Sequence, residues 1–297
     1  MTKEKLKSLK DVEVLSNESL AAYTGFRCGG RSTVVIPRSR DAFIHAVSLL
    51  REEQEPFFIL GNGSNVLVPD EGYRGYVLVT KSALQDITVS GACITAGAGA
   101  QLTAVCHVAL GASLTGMEFA FGIPGTVGGA VYMNAGAYGS EIKNVLSSVT
   151  LLDESNNVRE LSADELDLSY RYSIFHKNRN WIILSASFEL SSGEHDSIHD
   201  EMFGYLSRRI EKQPLNYPSC GSTFKRPEGS YASKLIDDCG LKGFRIGGAA
   251  VSEKHAGFVI NLDHATSSDI LSLCKVVHDK VLAETGFDLQ MEVEIMR

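Results

Sequence analysis

A short segment in the last third of the chain combines residues that could move a proton beside an anion. In G-S-T-F-K-R (221–226), Ser222 lies on a glycine-bounded bend, and Lys225 follows three positions later. A serine hydroxyl can donate a proton to a strongly basic carbon, or it can cap a helix, and the residues alone leave both roles open. A serine hydrolase is excluded, because the chain contains no G-x-S-x-G motif.

Positive charge is concentrated around that serine although the chain as a whole is acidic. Between Gly204 and Arg226 there are five cations and a single carboxylate, in a chain of net charge -8. Such a local excess suits a diphosphate or a carboxylate ligand. The candidate substrate ligands are Arg208, Lys212 and Lys225, while Arg208 and Arg209 could equally form a solvated helix face.

A first glycine-rich segment could hold a phosphorylated ligand. Gly61-Asn62-Gly63-Ser64-Asn65 directly follows a predicted strand. Small residues let backbone amides approach phosphate oxygens, and Ser64 and Asn65 offer side-chain donors. The dinucleotide fingerprint would need glycine where Val66 stands, so the usual G-x-G-x-x-G motif fails. These five residues could also form an ordinary tight turn.

A second segment, Phe119–Ser140, contains six glycines and no charged residue over 22 positions. Its glycines, together with Pro124, argue against a membrane-spanning helix. A long glycine-dense loop is costly to order, so we expect a buried loop lying against a large flat or phosphorylated ligand. The candidate contacts are Gly125, Thr126, Gly128, Gly129, Asn134, Ala135 and Gly136.

The elements that must position these segments form an α+β pattern. Three consecutive lobes are predicted, 1–81, 82–191 and 192–297. The predicted helices cover 41–51, with Asp41 as its cap, 101–110, 198–212, 233–239 and 269–285. The predicted strands cover 33–37, 57–60, 76–80, 87–89, 93–96, 149–153, 181–190, 258–261 and 291–296.

Composition excludes several classes of function. An acidic chain lacks the basic footprint of a nucleic-acid-binding protein. The six cysteines form no C-x-x-C pair, which indicates a reduced compartment without disulfides or a zinc site. Residues 1–10 carry four lysines and no apolar core, so they are not a signal peptide. We therefore expect a cytoplasmic, metal-free protein that does not insert into membranes. The sequence carries no signal for the oligomeric state, and a monomer is the default expectation.

The order of the glycine segments resembles that in the UDP-N-acetylenolpyruvoylglucosamine reductase (MurB) family. L-G-N-G-S-N-V-L-V (60–68) and G-I-P-G-T-V-G-G-A-V-Y-M-N-A-G-A-Y-G (122–139) are similar to its two FAD-binding segments. T-G-F-R-C-G-G (24–30) resembles its opening segment. The resemblance implies two FAD-binding lobes of the vanillyl-alcohol-oxidase type, followed by a C-terminal α+β substrate-binding domain.

The candidate catalytic residues fit the same resemblance. G-S-T-F-K-R-P (221–227) is similar to the segment that carries the family's proton-donating serine, here Ser222. Y-R-Y-S-I-F (170–175) resembles the segment whose arginine, here Arg171, contacts the substrate carboxylate. L-Q-M-E-V-E-I (289–295) resembles the terminal strand with the catalytic glutamate, which aligns with Glu292, although spacing alone does not separate it from Glu294.

The resemblance also implies a reaction. NADPH would reduce bound FAD, and the flavin would then pass hydride to UDP-N-acetylglucosamine enolpyruvate, giving UDP-N-acetylmuramate for peptidoglycan. The chain resembles the second-type branch, which lacks an inserted lid. The family's other branch often has asparagine where Arg226 stands, so that contact is not transferred. The alternatives are a related FAD oxidase that passes electrons to oxygen, and a nucleotide-sugar-binding module without redox activity.

Overall fold

The computed structural model describes all residues of the chain, 1–297, which form two compact units. Unit 1 consists of Met1–Leu15, Val34–Asn62 and Gly75–Arg209. Unit 2 consists of Ser16–Thr33, Gly63–Arg74 and Ile210–Arg297. Each unit is therefore assembled from separate stretches of sequence, and the three contiguous lobes stay a prediction.

Seven α-helices form, and most of them begin where the sequence indicates. They are α1 (Thr2–Ser8), α2 (Arg40–Glu52), α3 (Leu102–Gly111), α4 (Val127–Tyr132), α5 (His195–Lys212), α6 (Ala232–Asp238) and α7 (Ser267–Thr285). The cap of α2 is Ser39, whose hydroxyl accepts from the Ala42 amide at 3.2 Å, whereas the predicted cap Asp41 lies in the first turn. Helix α7 is followed by Gly286, whose φ of 77° gives the left-handed C-terminal cap that glycine favours.

Eighteen short strands account for the sheets. They are β1 (Val12–Ser19), β2 (Arg31–Pro37), β3 (Phe57–Leu60), β4 (Val66–Leu67), β5 (Tyr76–Val79), β6 (Ile87–Ser90), β7 (Cys93–Gly97), β8 (Leu114–Thr115), β9 (Gly136–Ala137), β10 (Ser140–Glu141), β11 (Leu146–Leu152), β12 (Val158–Ser162), β13 (Ile182–Glu189), β14 (Ser191–Ser192), β15 (Arg245–Ile246), β16 (Ala249–Val251), β17 (Val259–Asn261) and β18 (Glu294–Ile295). The larger sheets have the orders β1-β2-β5-β3 and β12-β11-β13-β7-β6. A three-stranded sheet, β15-β16-β17, and a parallel pair, β18-β4, lie in unit 2.

One parallel pairing in unit 1 sets the position of the first glycine segment. Strands β3 and β5 run parallel, and Leu60, the last residue of β3, pairs with Val79, the last residue of β5. The residues after the two strands therefore emerge side by side at the carboxyl ends, where ligands bind in many α/β sheets. Asn62 follows one strand and Lys81 follows the other.

Each unit has its own apolar core. In unit 1, Phe43 of α2, Val105 of α3 and Phe188 of β13 are fully buried in one continuous cluster. In unit 2, Phe26 and Ile270 are fully buried in a second cluster. None of the helices combines the length and the apolar composition that crossing a membrane would need.

The structure adds elements that the sequence patterns did not reveal. Helix α1 and strands β1 and β12 form in stretches for which no element was predicted. The segment predicted as a loop, 119–140, contains the six-residue helix α4. The predicted terminal strand 291–296 is paired as a strand only at Glu294–Ile295, with an isolated bridge at Met291.

Candidate functional site

In unit 1 the two glycine segments lie against each other. A Cβ at Gly61 would lie 2.4 Å from Oγ1 of Thr126, so a larger residue would displace that hydroxyl. Asn62 donates its side-chain amide to the carbonyl of Pro124 at 2.7 Å. The carbonyl oxygen of the same amide accepts a hydrogen bond from Nζ of Lys81 at 3.2 Å. The loop after β3, the second residue after β5 and the residues just before α4 thus form one surface.

Thr126 has a buried hydroxyl without a partner. The residue is 1% exposed, and its Oγ1 makes no hydrogen bond. A buried hydroxyl in that state costs free energy, which an oxygen of a bound ligand would relieve. A Cβ at Gly129 would lie at an ordinary contact distance of 3.6 Å from the same atom, so it is the glycine at position 61 that leaves space for the hydroxyl. An unpaired donor in a glycine-lined cradle beside a lysine fits the phosphates of a dinucleotide such as FAD.

Part of the glycine content serves internal packing. A Cβ at Gly128 would lie 2.9 Å from the Cβ of Ala98, and the Gly128 amide donates to the Ala98 carbonyl at 2.9 Å. A Cβ at Gly136 would lie 2.6 Å from the carbonyl oxygen of Ser140 in the β9–β10 hairpin. Gly128 and Gly136, both predicted cofactor contacts, are therefore glycines because packing within the protein leaves no room for a side chain. Contacts through Gly125 and Gly129 remain a prediction.

Asn134 is fully buried, and both the nitrogen and the oxygen of its side-chain amide form hydrogen bonds within the protein. Its amide nitrogen donates to Oε2 of Glu141 at 2.9 Å and to the carbonyl of Ser169 at 3.0 Å. Its amide oxygen accepts from the backbone amide of Lys143 at 2.9 Å. A contact of Asn134 or the following Ala135 with a cofactor would therefore involve the main chain of this segment.

The turn that carries Arg171 is attached to the second glycine segment. Ser173, fully buried, donates its hydroxyl to the carbonyl of Tyr132 at 2.6 Å. Nη2 of Arg171 lies 3.4 Å from the carbonyl of Gly136, and its guanidinium lies 4.9 Å from the ring centroid of Tyr170. Arg171 itself has φ 54°, which is uncommon for a residue with a side chain and concentrates at functional sites.

Two arginines of α5 differ in what they contact within unit 1. Arg209 lies against the second glycine segment, since a Cβ at Gly122 would lie 2.8 Å from its Cδ. Burial lowers the pKa of the Arg209 guanidinium from its ordinary value. Arg208, the predicted ligand, is exposed, with its guanidinium 5.9 Å from the ring centroid of Tyr205. Of the two, Arg209 is thus the one next to the candidate cofactor segment.

In unit 2, Ser222 is exposed between residues that are tightly held. Gly221, at φ 74°, supplies the bend before it. Thr223 is fully buried, its hydroxyl oxygen accepts from the Val259 amide at 2.9 Å, and its amide donates to the carbonyl of Gly257 at 2.9 Å. The nearest following helix, α6, has Tyr231 as its cap. Ser222 is therefore not a helix cap, and the capping alternative is wrong.

The terminal segment pairs with the serine segment inside unit 2. The Glu292 amide donates to the carbonyl of Thr223, and the Lys225 amide donates to the carbonyl of Gln290, each at 2.8 Å. Glu292 is thus brought beside the residue that follows Ser222. The Glu294 amide instead donates to the carbonyl of Asn65 at 3.0 Å. The main chain of one candidate catalytic residue, Glu292, is therefore bonded to the residue that follows another candidate, Ser222, although the two lie far apart in sequence.

The part of the first glycine segment that belongs to unit 2, residues 63–65, makes contacts within that unit. Gly63, at φ 61°, leaves no room for a side chain, because a Cβ would lie 2.1 Å from the carbonyl oxygen of Tyr23. The side-chain amide of Asn65 donates to the carbonyl of Glu292 at 3.0 Å. Ser64 lies between these two residues.

The remaining basic candidates lie at the surface of unit 2. Lys212 is exposed at the end of α5, and Lys225 is half-buried. The guanidinium of Arg226 lies 4.1 Å from the ring centroid of Tyr231. No group of three or more His, Cys, Asp or Glu side chains is arranged to hold a metal ion.

Comparison with known proteins gives consistent matches over the whole chain. Residues 32–162 match the FAD-binding domain family, and residues 213–296 match the family described as UDP-N-acetylenolpyruvoylglucosamine reductase, C-terminal domain. The reductase of this name from Caldanaerobacter subterraneus subsp. tengcongensis is 50% identical over 99% of this chain and 97% of its own. That of Clostridium novyi is 48% identical over 99% of this chain and 95% of its own.

A solved structure agrees with these sequence matches. The crystal structure of UDP-N-acetylenolpyruvylglucosamine reductase (MurB) from Thermus caldophilus superposes with a TM-score of 0.81 at 31% identity. The match covers 96% of this chain and 99% of that one. The predicted α+β fold, with an FAD-binding region followed by a distinct C-terminal domain, is confirmed.

Proposed function

Because the chain belongs to the UDP-N-acetylenolpyruvoylglucosamine reductase (MurB) family, we propose that it reduces UDP-N-acetylglucosamine enolpyruvate to UDP-N-acetylmuramate with NADPH as the electron donor. The single observation that supports this proposal is the main-chain hydrogen bond from Glu292 to Thr223, which joins the segment of the proposed acid Glu292 to the segment of the proposed proton donor Ser222. The reaction needs a proton on the carbon next to the substrate carboxylate, and an exposed hydroxyl with a neighbouring acid can deliver it.

Bound FAD supplies the two-electron chemistry, since it can accept hydride from NADPH and release hydride to a carbon–carbon double bond. In unit 1, Gly61, Asn62, Gly125, Thr126 and Gly129 would hold the cofactor, with the unpaired hydroxyl of Thr126 as a donor to its phosphates. Gly63, Ser64 and Asn65, the rest of the first glycine segment, would contribute main-chain contacts and the Ser64 hydroxyl. The fully buried Asn134, with Ala135, Gly128 and Gly136, would keep the second segment in shape.

Arg171 would bind the substrate carboxylate. When hydride reaches the terminal carbon of the enol ether, negative charge develops on that carboxylate and on the carbon that bears it. A preorganised guanidinium stabilises such charge most effectively where it costs no reorganisation. The left-handed backbone of Arg171 and its contact with the Gly136 carbonyl support this assignment.

Ser222 would donate its hydroxyl proton to the carbon next to the carboxylate. A serine hydroxyl is a weak acid, so it can act only because the acceptor carbon is strongly basic. Lys225, three residues further, would help the serine lose its proton and would attract the substrate phosphates, together with Lys212 and Arg208. Of the α5 cations, Arg209 lies nearer to the glycine segment of unit 1.

Glu292 would keep a proton in the same region. An ionised carboxylate would repel the developing negative charge, so we propose that Glu292 acts in its protonated form or shares a proton with the substrate. Its main-chain bond to Thr223 favours Glu292 over Glu294, whose amide is bonded to Asn65 instead.

The proposed substrate and electron donor indicate the compartment in which the enzyme acts. UDP-N-acetylmuramate is a peptidoglycan precursor, and both UDP-sugars and NADPH are metabolites of the cytoplasm, so we propose that the enzyme acts there in cell-wall synthesis. We propose a monomer and, from the resemblance of its motifs, the second-type branch of the family. The test is steady-state oxidation of NADPH at 340 nm: it should depend on both FAD and the enolpyruvyl sugar, and oxidation that is independent of the sugar would refute the proposal.

A further inference from the structure

The parallel register of β3 and β5 puts a cation where the sequence patterns showed none. Lys81 lies two residues beyond the last pair of the register, Leu60 with Val79, and Asn62 lies two residues beyond the same pair on the other strand. Nineteen positions separate the two residues in sequence, yet Nζ of Lys81 reaches Oδ1 of Asn62 at 3.2 Å. The lysine is thereby fixed beside the first glycine segment.

The charge of Lys81 is not neutralised by that contact. An ammonium carries three donors, and the partner found here is a neutral amide oxygen rather than a carboxylate. The other end of the Asn62 side chain is bonded to the carbonyl of Pro124, so the amide orients the ammonium relative to the second glycine segment. Lys81 is half-buried, which strengthens its interaction with an anion compared with a fully exposed lysine.

A second observation at the same surface points to an anionic ligand. The Thr126 hydroxyl is buried, has no partner, and lies in a cradle that exists only because residue 61 is a glycine. Gly61 is the direct neighbour of Asn62, which holds Lys81. A cation and an unpaired hydroxyl beside adjacent loop residues match the paired oxygens of a diphosphate.

We infer that Lys81 binds the diphosphate of FAD, together with Asn62 and the hydroxyl of Thr126. This inference rests on the proposed function, because it needs the chain to bind FAD. NADPH carries a diphosphate as well, but the segment concerned lies within residues 32–162, which match the FAD-binding domain family. FAD is therefore the ligand to which Lys81 is assigned.

The test is FAD binding to apoprotein, measured by quenching of flavin fluorescence, for wild type, Lys81→Gln and Lys81→Arg. Glutamine keeps a donor for Asn62 and removes the charge, so the dissociation constant should rise about ten- to hundredfold. Arginine should retain most of the affinity. Riboflavin, which has no phosphate, should bind wild type and Lys81→Gln equally. The matched control is Lys7→Gln, an exposed lysine paired with Glu4.

The outcomes separate the inference from the proposed function. Failure of the wild-type apoprotein to bind FAD would overturn both. An FAD affinity for Lys81→Gln within about twofold of wild type, with wild type binding normally, would overturn only the role of Lys81. A change confined to the KM for NADPH would also overturn it, because the lysine would then serve the other diphosphate. Thermal unfolding of each apoprotein tests whether the variants are folded, and Lys81→Arg provides a readout if Lys81→Gln is not.

Discussion

The side-chain amide of Asn134 donates to the carbonyl of Ser169, 3.0 Å away and two residues before Arg171. Together with the bond from Ser173 to the carbonyl of Tyr132, it ties the turn carrying Arg171 to the second glycine segment on both sides of the arginine. A guanidinium that must meet a carboxylate in one geometry depends on such anchoring, because loops are otherwise mobile.

Replacing Asn134 by Ala should loosen this anchoring. The variant removes one of two donors to the carbonyl of Ser169, which keeps the Tyr172 amide, and it removes the Asn134 partner of Glu141 and of the Lys143 amide. The free energy of unfolding should therefore fall by about 2–5 kcal/mol. Urea denaturation measures that loss, and the KM for the enolpyruvyl sugar should rise. Stability and KM equal to wild type would contradict the anchoring role.

Gly61 and Thr126 should behave as a coupled pair. Gly61→Ala introduces a methyl group 2.4 Å from the Thr126 hydroxyl and should destabilise the apoprotein by about 1–3 kcal/mol. Thr126→Ala removes a buried donor without a partner, so it should not destabilise the apoprotein but should weaken FAD binding. In the double variant the clash is absent. A double-mutant cycle by thermal unfolding that gives strictly additive effects would refute this contact.

Ser222→Ala should separate the two halves of the reaction. The variant keeps the exposed bend after Gly221, so reduction of the bound flavin by NADPH should proceed as in wild type. Reoxidation by the enolpyruvyl sugar should slow by about 10²–10⁴-fold, because the proton donor is missing. Stopped-flow absorbance measures each half separately, with Ser230→Ala as the matched control. Equal loss in both halves would remove Ser222 from the proton-transfer step.

The two terminal glutamates should differ in importance. The main-chain amide of Glu292 is bonded to Thr223, whereas that of Glu294 is bonded to Asn65. We expect kcat to fall by about 10²-fold or more in Glu292→Gln and by less than threefold in Glu294→Gln. A larger effect at Glu294 would reverse the assignment.

The thiols report on the packing of the serine segment. Burial raises the pKa of Cys220 and of Cys274 to about 12, so at pH 8 only about one in 10⁴ of these thiols is ionised. Cys93, which is partly exposed, should react first with a thiol reagent in the native protein. Peptide mapping by mass spectrometry identifies the labelled sites. Labelling of Cys220 as fast as Cys93 would show that the chain before Ser222 is not packed as described.

Sequence patterns anticipated the local elements and the family well. The strand β3 has the predicted bounds, and helices α3 and α7 lie within two residues of theirs, because their apolar spacing and stop signals are local. The resemblance to the reductase family is confirmed by the family matches and the close relatives. Each of the short motifs that carry the resemblance is common by itself, and they identify the family only when all of them occur in the same order.

What escaped prediction depends on pairing between distant residues. The sequence around Lys81 does not reveal that β3 and β5 pair in parallel, so the position of Lys81 next to Asn62 could not be predicted from sequence. The same holds for the main-chain bond between Glu292 and Thr223, on which the proposal of Glu292 over Glu294 depends. The internal use of Asn134, predicted as a cofactor contact, likewise follows from the turn around Ser169.

The most direct test of the proposed function is an anaerobic absorbance experiment on the purified holoprotein. NADPH should bleach the flavin band, and UDP-N-acetylglucosamine enolpyruvate added afterwards should restore it, in an amount stoichiometric with the sugar consumed. A band that stays bleached with the sugar and returns only when air is admitted would contradict a reductase and indicate an oxidase.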